Sequence, residues 1–163
     1  MNKKDWTAKG NSLVKMERYE EAVENYNLSL NENPQDLEAW LNKACALLYL
    51  NKPEEAIACI DKALELDPNN TTAWVNKGYA LFRLKDFDEA MIAFKKASEI
   101  TPSHIQAWYN RACLASLQKN IEEALYSLEK AFDLDREICL KFAKTDPHLD
   151  NIRDKDRFKE LVG

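Results

Sequence analysis

The four tryptophans of this 163-residue chain are Trp6, Trp40, Trp74 and Trp108, each 34 residues from the last. Three of the five prolines, Pro34, Pro68 and Pro102, keep the same spacing. Self-similarity at a fixed period of this length marks a repeat architecture, in which each unit is one supersecondary element. The other slots repeat as well. Four residues after each Trp stands a small residue, Gly10, Ala44, Gly78 or Ala112, and seven after it Leu13, Leu47, Leu81 or the smaller Ala115. Sixteen after it is Ala22, Ala56, Ala90 or Ala124, preceded each time by Glu21, Glu55, Glu89 or Glu123. Twenty after it comes a large apolar residue, Tyr26, Ile60, Phe94 or Leu128, and three further on a small one, Ser29, Ala63, Ala97 or Ala131.

Within one repeat the apolar positions follow spacings of 3, 4 and 7, the period of an amphipathic helix, so each repeat holds two helices. In the third copy the pattern predicts one helix from about Thr72 to Leu84 and another from about Asp88 to Ile100, separated by Lys85-Asp86-Phe87. The small residues let paired helices approach closely, because no side chain props the backbones apart. Asp86 with Glu89 and Asn120 with Glu123 read as caps at the start of second helices. Pro53 suits a first helical position, where no donor is needed. The periodic prolines end each second helix, and Ser103 with Gln106 offers a capping box for the following one. A single pair cannot bury its apolar faces alone, so stability must come from stacking neighbours.

Trp, small residue, Leu, Ala, large apolar residue, Ala and Pro at these offsets resemble the tetratricopeptide repeat. The resemblance covers four copies, at about residues 3–36, 37–70, 71–104 and 105–135. Departures are few: Arg136 stands where a fourth proline belongs, Ser29 replaces an alanine, and Ala115 and Gln118 interrupt the Leu pattern of the last first helix. The resemblance implies an all-α protein, an α-solenoid in which antiparallel helix pairs form a right-handed superhelix with a concave groove for a peptide or partner helix. Residues 136–163 are similar to the closing segment of many prokaryotic chains of this family, with Asp146-Pro147, then Asp154 and Arg157, then Arg157-Phe158 and Leu161. The expectation is a single array over residues 1–163 whose C-terminal capping helices cover the last repeat with Leu149, Ile152, Phe158 and Leu161. The amino terminus has no comparable extra helix and is the expected edge for self-association.

In this family the first helix of each pair lines the groove. The slot two after Trp holds Ala8, Asn42, Asn76 and Asn110, and three asparagines can donate to and accept from a peptide main chain without demanding its side chains. The plainer alternative is that they fix the first helices. Asn11 lies in a neighbouring column, and Tyr49, Tyr79, Phe82, Arg83 and Tyr109 complete an aromatic lining with one cation; Cys45, Leu48, Cys113 and Leu117 adjoin it. One branch of the family grips the carboxylate of chaperone tails with Lys, Asn and Arg. Asn11 and Asn42 match its asparagines, but Thr7, Thr72 and Asn76 stand where it has cations, which argues against a chaperone-tail receptor. Three after each Trp comes a basic residue, Lys9, Lys43, Lys77 or Arg111. Pairing with the row of Glu21, Glu55, Glu89 and Glu123 is the favoured reading over recognition of an acidic partner, because four acids would balance four cations.

The remaining composition excludes more than it assigns. With 23 Lys+Arg against 28 Asp+Glu the net charge is −5, unsuited to a sequence-independent hold on nucleic acid or on an anionic membrane surface. Three glycines poorly provide for a phosphate-binding loop. Cys45, Cys59, Cys113 and Cys139 are far apart and lack metal-site spacing, so no metal, no cofactor and a reduced compartment are expected. His104 and His148 have no nucleophile at a recognisable spacing, and no catalytic residue is assigned. The start, Met1 to Trp6, is charged and not followed by an apolar stretch, which reads as cytoplasmic. The expected function is a non-catalytic interaction scaffold that binds a partner protein through its groove. The alternative is a self-associating array, joined through the first repeat or by a tail in another copy's groove.

Overall fold

The computed structural model describes residues 5–163. The first residues of repeat one and most of the charged amino-terminal stretch, residues 1–4, lie outside them. Among the described residues the chain forms ten α-helices and one 3-10 turn, and no strand. Its packing divides into two compact units, Met1–Asp86 and Phe87–Gly163.

The first unit contains α1 (Trp6–Lys15), α2 (Tyr19–Glu32), α3 (Leu37–Tyr49), α4 (Pro53–Leu66) and α5 (Thr71–Leu84). Helices α1 and α2 pack as one pair and α3 and α4 as the next, while α2 meets α3 and α4 meets α5. The repeat slots are its core: Ala22, Ala39, Ala44, Ala56, Ile60 and Ala63 are fully buried and Leu47 and Tyr26 nearly so. Burying a side chain the size of Ile60 or Leu47 stabilises by about 1.5–3 kcal/mol. At Gly10 the approach is closest, since a Cβ built there would lie 2.5 Å from Cε1 of Tyr26. Glycine is needed at this point because the tyrosine ring fills the space.

The second unit contains α6 (Phe87–Ile100), α7 (Ile105–Leu117), α8 (Ile121–Leu134), α9 (Arg136–Ala143), the 3-10 turn Pro147–Leu149 and α10 (Asp156–Val162). Helix α7 packs on α6, α8 and the 3-10 turn, and α8 also carries α9 and α10. Leu149 and Ile152 are fully buried and Phe158 nearly so, in one cluster with Ala124, Leu125, Leu128 and Phe132. The tail thus completes the apolar core of this unit.

The turns follow one design. Glu17, Asn51, Lys85 and Lys119, again 34 residues apart, all have left-handed backbone with φ of 58–66°. After each, the next amide returns to a carbonyl five residues back, as in Arg18 to Leu13 and Asn120 to Ala115, which closes the helix end without glycine. The prolines stand two residues beyond α2, α4 and α6, and Trp40, Trp74 and Trp108 donate their indole N–H to the carbonyls of Pro34, Pro68 and Pro102 at 2.8–2.9 Å. That bond explains why Trp and Pro share a period. Helices α5 and α6 each begin one residue before the predicted start. Asn120 caps α8 as expected, but Ser103 does not cap α7: the cap is His104, whose Nδ1 accepts from the Ala107 amide at 3.3 Å. Asp36 and Asn70 cap α3 and α5 at the same slot, four before the Trp.

Candidate functional site

In the first unit, helices α1, α3 and α5 carry most of the predicted lining. Asn11 donates to Glu38 at 2.9 Å, and its Oδ1 accepts from the Tyr26 hydroxyl and from Asn42 Nδ2, both at 2.8 Å. Burial pushes the Tyr26 hydroxyl up to about 12. One repeat on, Asn76 Nδ2 donates to Cys45 Sγ at 3.3 Å. The asparagine N–H groups therefore stitch α1 to α3 and α3 to α5. No donor among the described residues reaches Oδ1 of Asn42 or Asn76. Their acceptor ends remain available, and each amide is oriented by an N–H bonded to the neighbouring helix.

The aromatic residues lie farther along the same helices. Tyr49 is 67% exposed and stacks on Tyr19 with ring centres 4.7 Å apart. The Arg83 guanidinium lies 5.7 Å from the centre of the Tyr79 ring and donates to the Tyr79 hydroxyl and to Asn51. Phe82 is partly buried. Slots two, five and nine after Trp fall on one helical face, so Asn76, Tyr79 and Arg83 share a side of α5.

Asn110 and Tyr109 belong to α7 in the second unit. Asn110 is partly buried. Tyr109 is taken up by the tail: its hydroxyl donates to Asp146 Oδ2 at 3.1 Å, and the Cys113 thiol reaches the same oxygen at 3.5 Å. Asp146 Oδ1 accepts from the His148 amide at 2.9 Å and lies 2.8 Å from the His148 ring nitrogen. Burial raises the Asp146 carboxyl, but these hydrogen bonds and the charge of His148 outweigh it and hold the group below its ordinary range. Burial, then the neighbouring groups, push Tyr109 and Cys113 upward. Arg153 donates to the carbonyls of Ala143, Lys144 and Asp146, which holds the tail's own turn together, and Asn151 donates to that of Ser116, which fastens the tail to α7. Sequence reasoning missed Asp146 because the tail is outside the period, although its Asp-Pro turn was a visible signal.

The basic row does not follow the expected pairing. Only Arg111 meets its partner Glu123; Lys77 pairs with Asp61 at 2.8 Å, while Glu21 is paired with Arg18 and Glu55 with Lys52. What the row has in common is its tryptophans. Lys9, Lys43, Lys77 and Arg111 lie 4.9–5.6 Å from the ring centres of Trp6, Trp40, Trp74 and Trp108, three residues back on the same helical face. Among the described residues no helix is long and apolar enough to cross a membrane.

Profiles of the tetratricopeptide repeat match residues 6–36, 41–105 and 93–126. Sequence comparison with curated proteins finds no match. Several solved structures share the fold. MamA 41-end from Desulfovibrio magneticus RS-1 superposes with a TM-score of 0.79 at 23% identity, over 96% of this chain and 87% of that one. YrrB, described as a TPR protein with an unusual peptide-binding site, gives a TM-score of 0.72 at 29% identity, over 83% and 71% of the two chains. The first TPR of Spaghetti (RPAP3), bound to the HSP90 peptide SRMEEVD, gives 0.61 at 27% identity, over 63% and 81%.

Proposed function

The chain belongs to the tetratricopeptide repeat family, and from that premise we propose that it is a non-catalytic interaction module which binds an extended peptide of a partner protein along α1, α3 and α5. The observation that carries this reading is the half-used asparagine row. Asn42 and Asn76 each donate an N–H to the neighbouring helix, which orients the amides and leaves each Oδ1 to accept from a peptide N–H. An orientation fixed before binding removes part of the ordering cost that an interface otherwise carries. Tyr49, Tyr79 and Arg83 stand on the same helices to pack against peptide side chains. Relatives of the same fold, YrrB and RPAP3, are described with peptide sites, which agrees with the reading.

A chaperone carboxylate is not the proposed ligand, because Thr7, Thr72 and Asn76 occupy the positions where the resemblance calls for cations. Affinity near micromolar, about −8 kcal/mol, is expected for such a groove. The test is selection of a random peptide library on the full chain, followed by calorimetry of the enriched peptides against the wild type and the Asn42→Ala/Asn76→Ala variant. Enriched peptides that bind the folded variant as tightly as the wild type would remove the asparagines from the site.

A further inference from the structure

Lys43 meets no carboxylate, although two other members of its row do: Lys77 pairs with Asp61 at 2.8 Å and Arg111 with Glu123. The reason is visible in the repeat slots. Asp61 stands 21 residues after Trp40, and the residue 21 after Trp6, which would serve Lys43 in the same way, is Asn27. Glu55, in the slot of Glu123, is paired with Lys52 at 3.2 Å instead. Every Asp and Glu of the chain lies within residues 5–163, so no acid stands outside the described residues to replace them. The Lys43 ammonium lies 5.4 Å from the centre of the Trp40 ring, and its one hydrogen bond among the described residues is to the thiol of Cys59. A thiol is a weak acceptor for a group that carries three donors.

This ammonium borders an open cavity of about 360 Å³ between α3 and α4, within the range of about 300–1,000 Å³ that holds small ligands. Trp40, Lys43 and Leu47, spaced three and four apart, line its α3 side, and Ala58 and Cys59 line its α4 side. The Trp40 indole is held by the carbonyl of Pro34, and Leu47 and Cys59 are buried, so the walls are set before a ligand arrives. The other charges at the cavity, Lys62 and Glu55, are engaged with Glu65 and Lys52. An apolar surface with one unpaired cation is what remains. A carboxylate on a partly buried ammonium makes a charge-assisted hydrogen bond, roughly twice as strong as a neutral one. Apolar atoms attached to that carboxylate leave water against Trp40, Leu47 and Ala58, which adds the hydrophobic contribution. An inorganic anion gains only the first of these and a neutral apolar molecule only the second.

We propose that this cavity binds an apolar monocarboxylate, with an aromatic or branched body against Trp40 and Leu47 and its carboxylate on Lys43. The site uses none of the asparagines and stands independently of the peptide groove. The probe is 3-phenylpropionate, titrated into the full chain, with 3-phenylpropanamide as the neutral control. The indole N–H resonance of Trp40 is followed by NMR, with that of Trp108 as the internal reference. The expected result is a saturable shift of Trp40 with the acid and binding about ten-fold weaker or less with the amide. Lys43→Met keeps an apolar chain over Trp40 and removes the charge, so it should lose that preference for the acid. Ala58→Glu, a change at an exposed position, gives the cavity a carboxylate of its own and should abolish the shift. Lys77→Met, which removes the paired cation of the next repeat, should leave it unchanged. Equal affinity for acid and amide, or full affinity for the acid in a folded Lys43→Met or Ala58→Glu chain, overturns the site. Nα-acetyl-phenylalanine then tells the source of the carboxylate: binding tighter than that of 3-phenylpropionate assigns the site to the last residue of a partner protein, and weaker binding assigns it to a free small acid.

Discussion

Asn42 donates its Nδ2 to Oδ1 of Asn11 at 2.8 Å, joining the first helices of two successive repeats. The same oxygen accepts from the Tyr26 hydroxyl, so Asn42→Ala leaves Asn11 with a partner. Its cost to stability should be about 1 kcal/mol, mostly that of the bond to Asn11, since its second contact, to the exposed Glu38, is long at 3.4 Å. Asn11→Ala strands the buried Tyr26 hydroxyl as well and should cost about 1–3 kcal/mol. Urea unfolding of the two variants measures the difference, and equal midpoints would show that the Tyr26 bond contributes nothing.

Gly10→Ala should destabilise the chain by about 1–3 kcal/mol, the usual range for overpacking a core. The added Cβ would sit 2.5–2.9 Å from three atoms of the Tyr26 ring, whose hydroxyl is held by Asn11. Combining it with Tyr26→Leu should recover much of the loss. Ala44 and Ile60, and likewise Ala112 and Leu128, already pair a larger small residue with a smaller large one in their own cores. A double-mutant cycle on thermal midpoints gives the coupling.

Glycine should stabilise the turns. Left-handed backbone costs a residue with a Cβ about 1–2 kcal/mol, and Glu17 and Lys119 adopt it with φ of 59°. Part of that gain returns as extra freedom of the unfolded chain. Lys119→Gly is therefore expected to raise stability by about 0.5–1 kcal/mol, and Asn51→Gly by less, because Asn tolerates this region. Differential scanning calorimetry of each variant tests the order.

Alkaline pH should unfold the protein progressively. Burial raises the thiols of Cys45, Cys59, Cys113 and Cys139, the last to about 11, and the Tyr26 hydroxyl to about 12. The folded state then keeps protons that the unfolded state releases, so this stability is complete below the ordinary thiol value of about 8.5 and is lost as pH rises through the folded values. Asp146 has the opposite sign: its lowered carboxyl contributes stability above about pH 3.9, the unfolded value, that is lost as pH falls through the folded value. Urea midpoints should therefore fall at both extremes. Cys139→Ala should flatten the alkaline limb between about pH 8.5 and 11, and Asp146→Asn the acid one.

Much of the fold was legible because its physics is periodic. Trp40, Trp74 and Trp108 could be matched to Pro34, Pro68 and Pro102 by counting, although the reason, an indole bond to the proline carbonyl, appears only in three dimensions. The left-handed turns were invisible because Glu17, Lys85 and Lys119 are not the residues that announce such a conformation. His104 was passed over as a cap in favour of Ser103, yet Asp36 and Asn70 in its column could have identified it. Candidate site residues were harder. A column predicts which face a side chain occupies but not what meets it there, so neither the Asn42 to Asn11 bond nor the Asp146 contact to Tyr109 followed from spacing.

The central claim is that the asparagine row receives a peptide main chain, and calorimetry of one selected peptide against the wild type and Asn42→Ala/Asn76→Ala tests it most directly. The account predicts a loss of about ten-fold or more in affinity, near 1.4 kcal/mol, with the helical circular dichroism of the variant intact. Unchanged affinity in a folded double variant would contradict it.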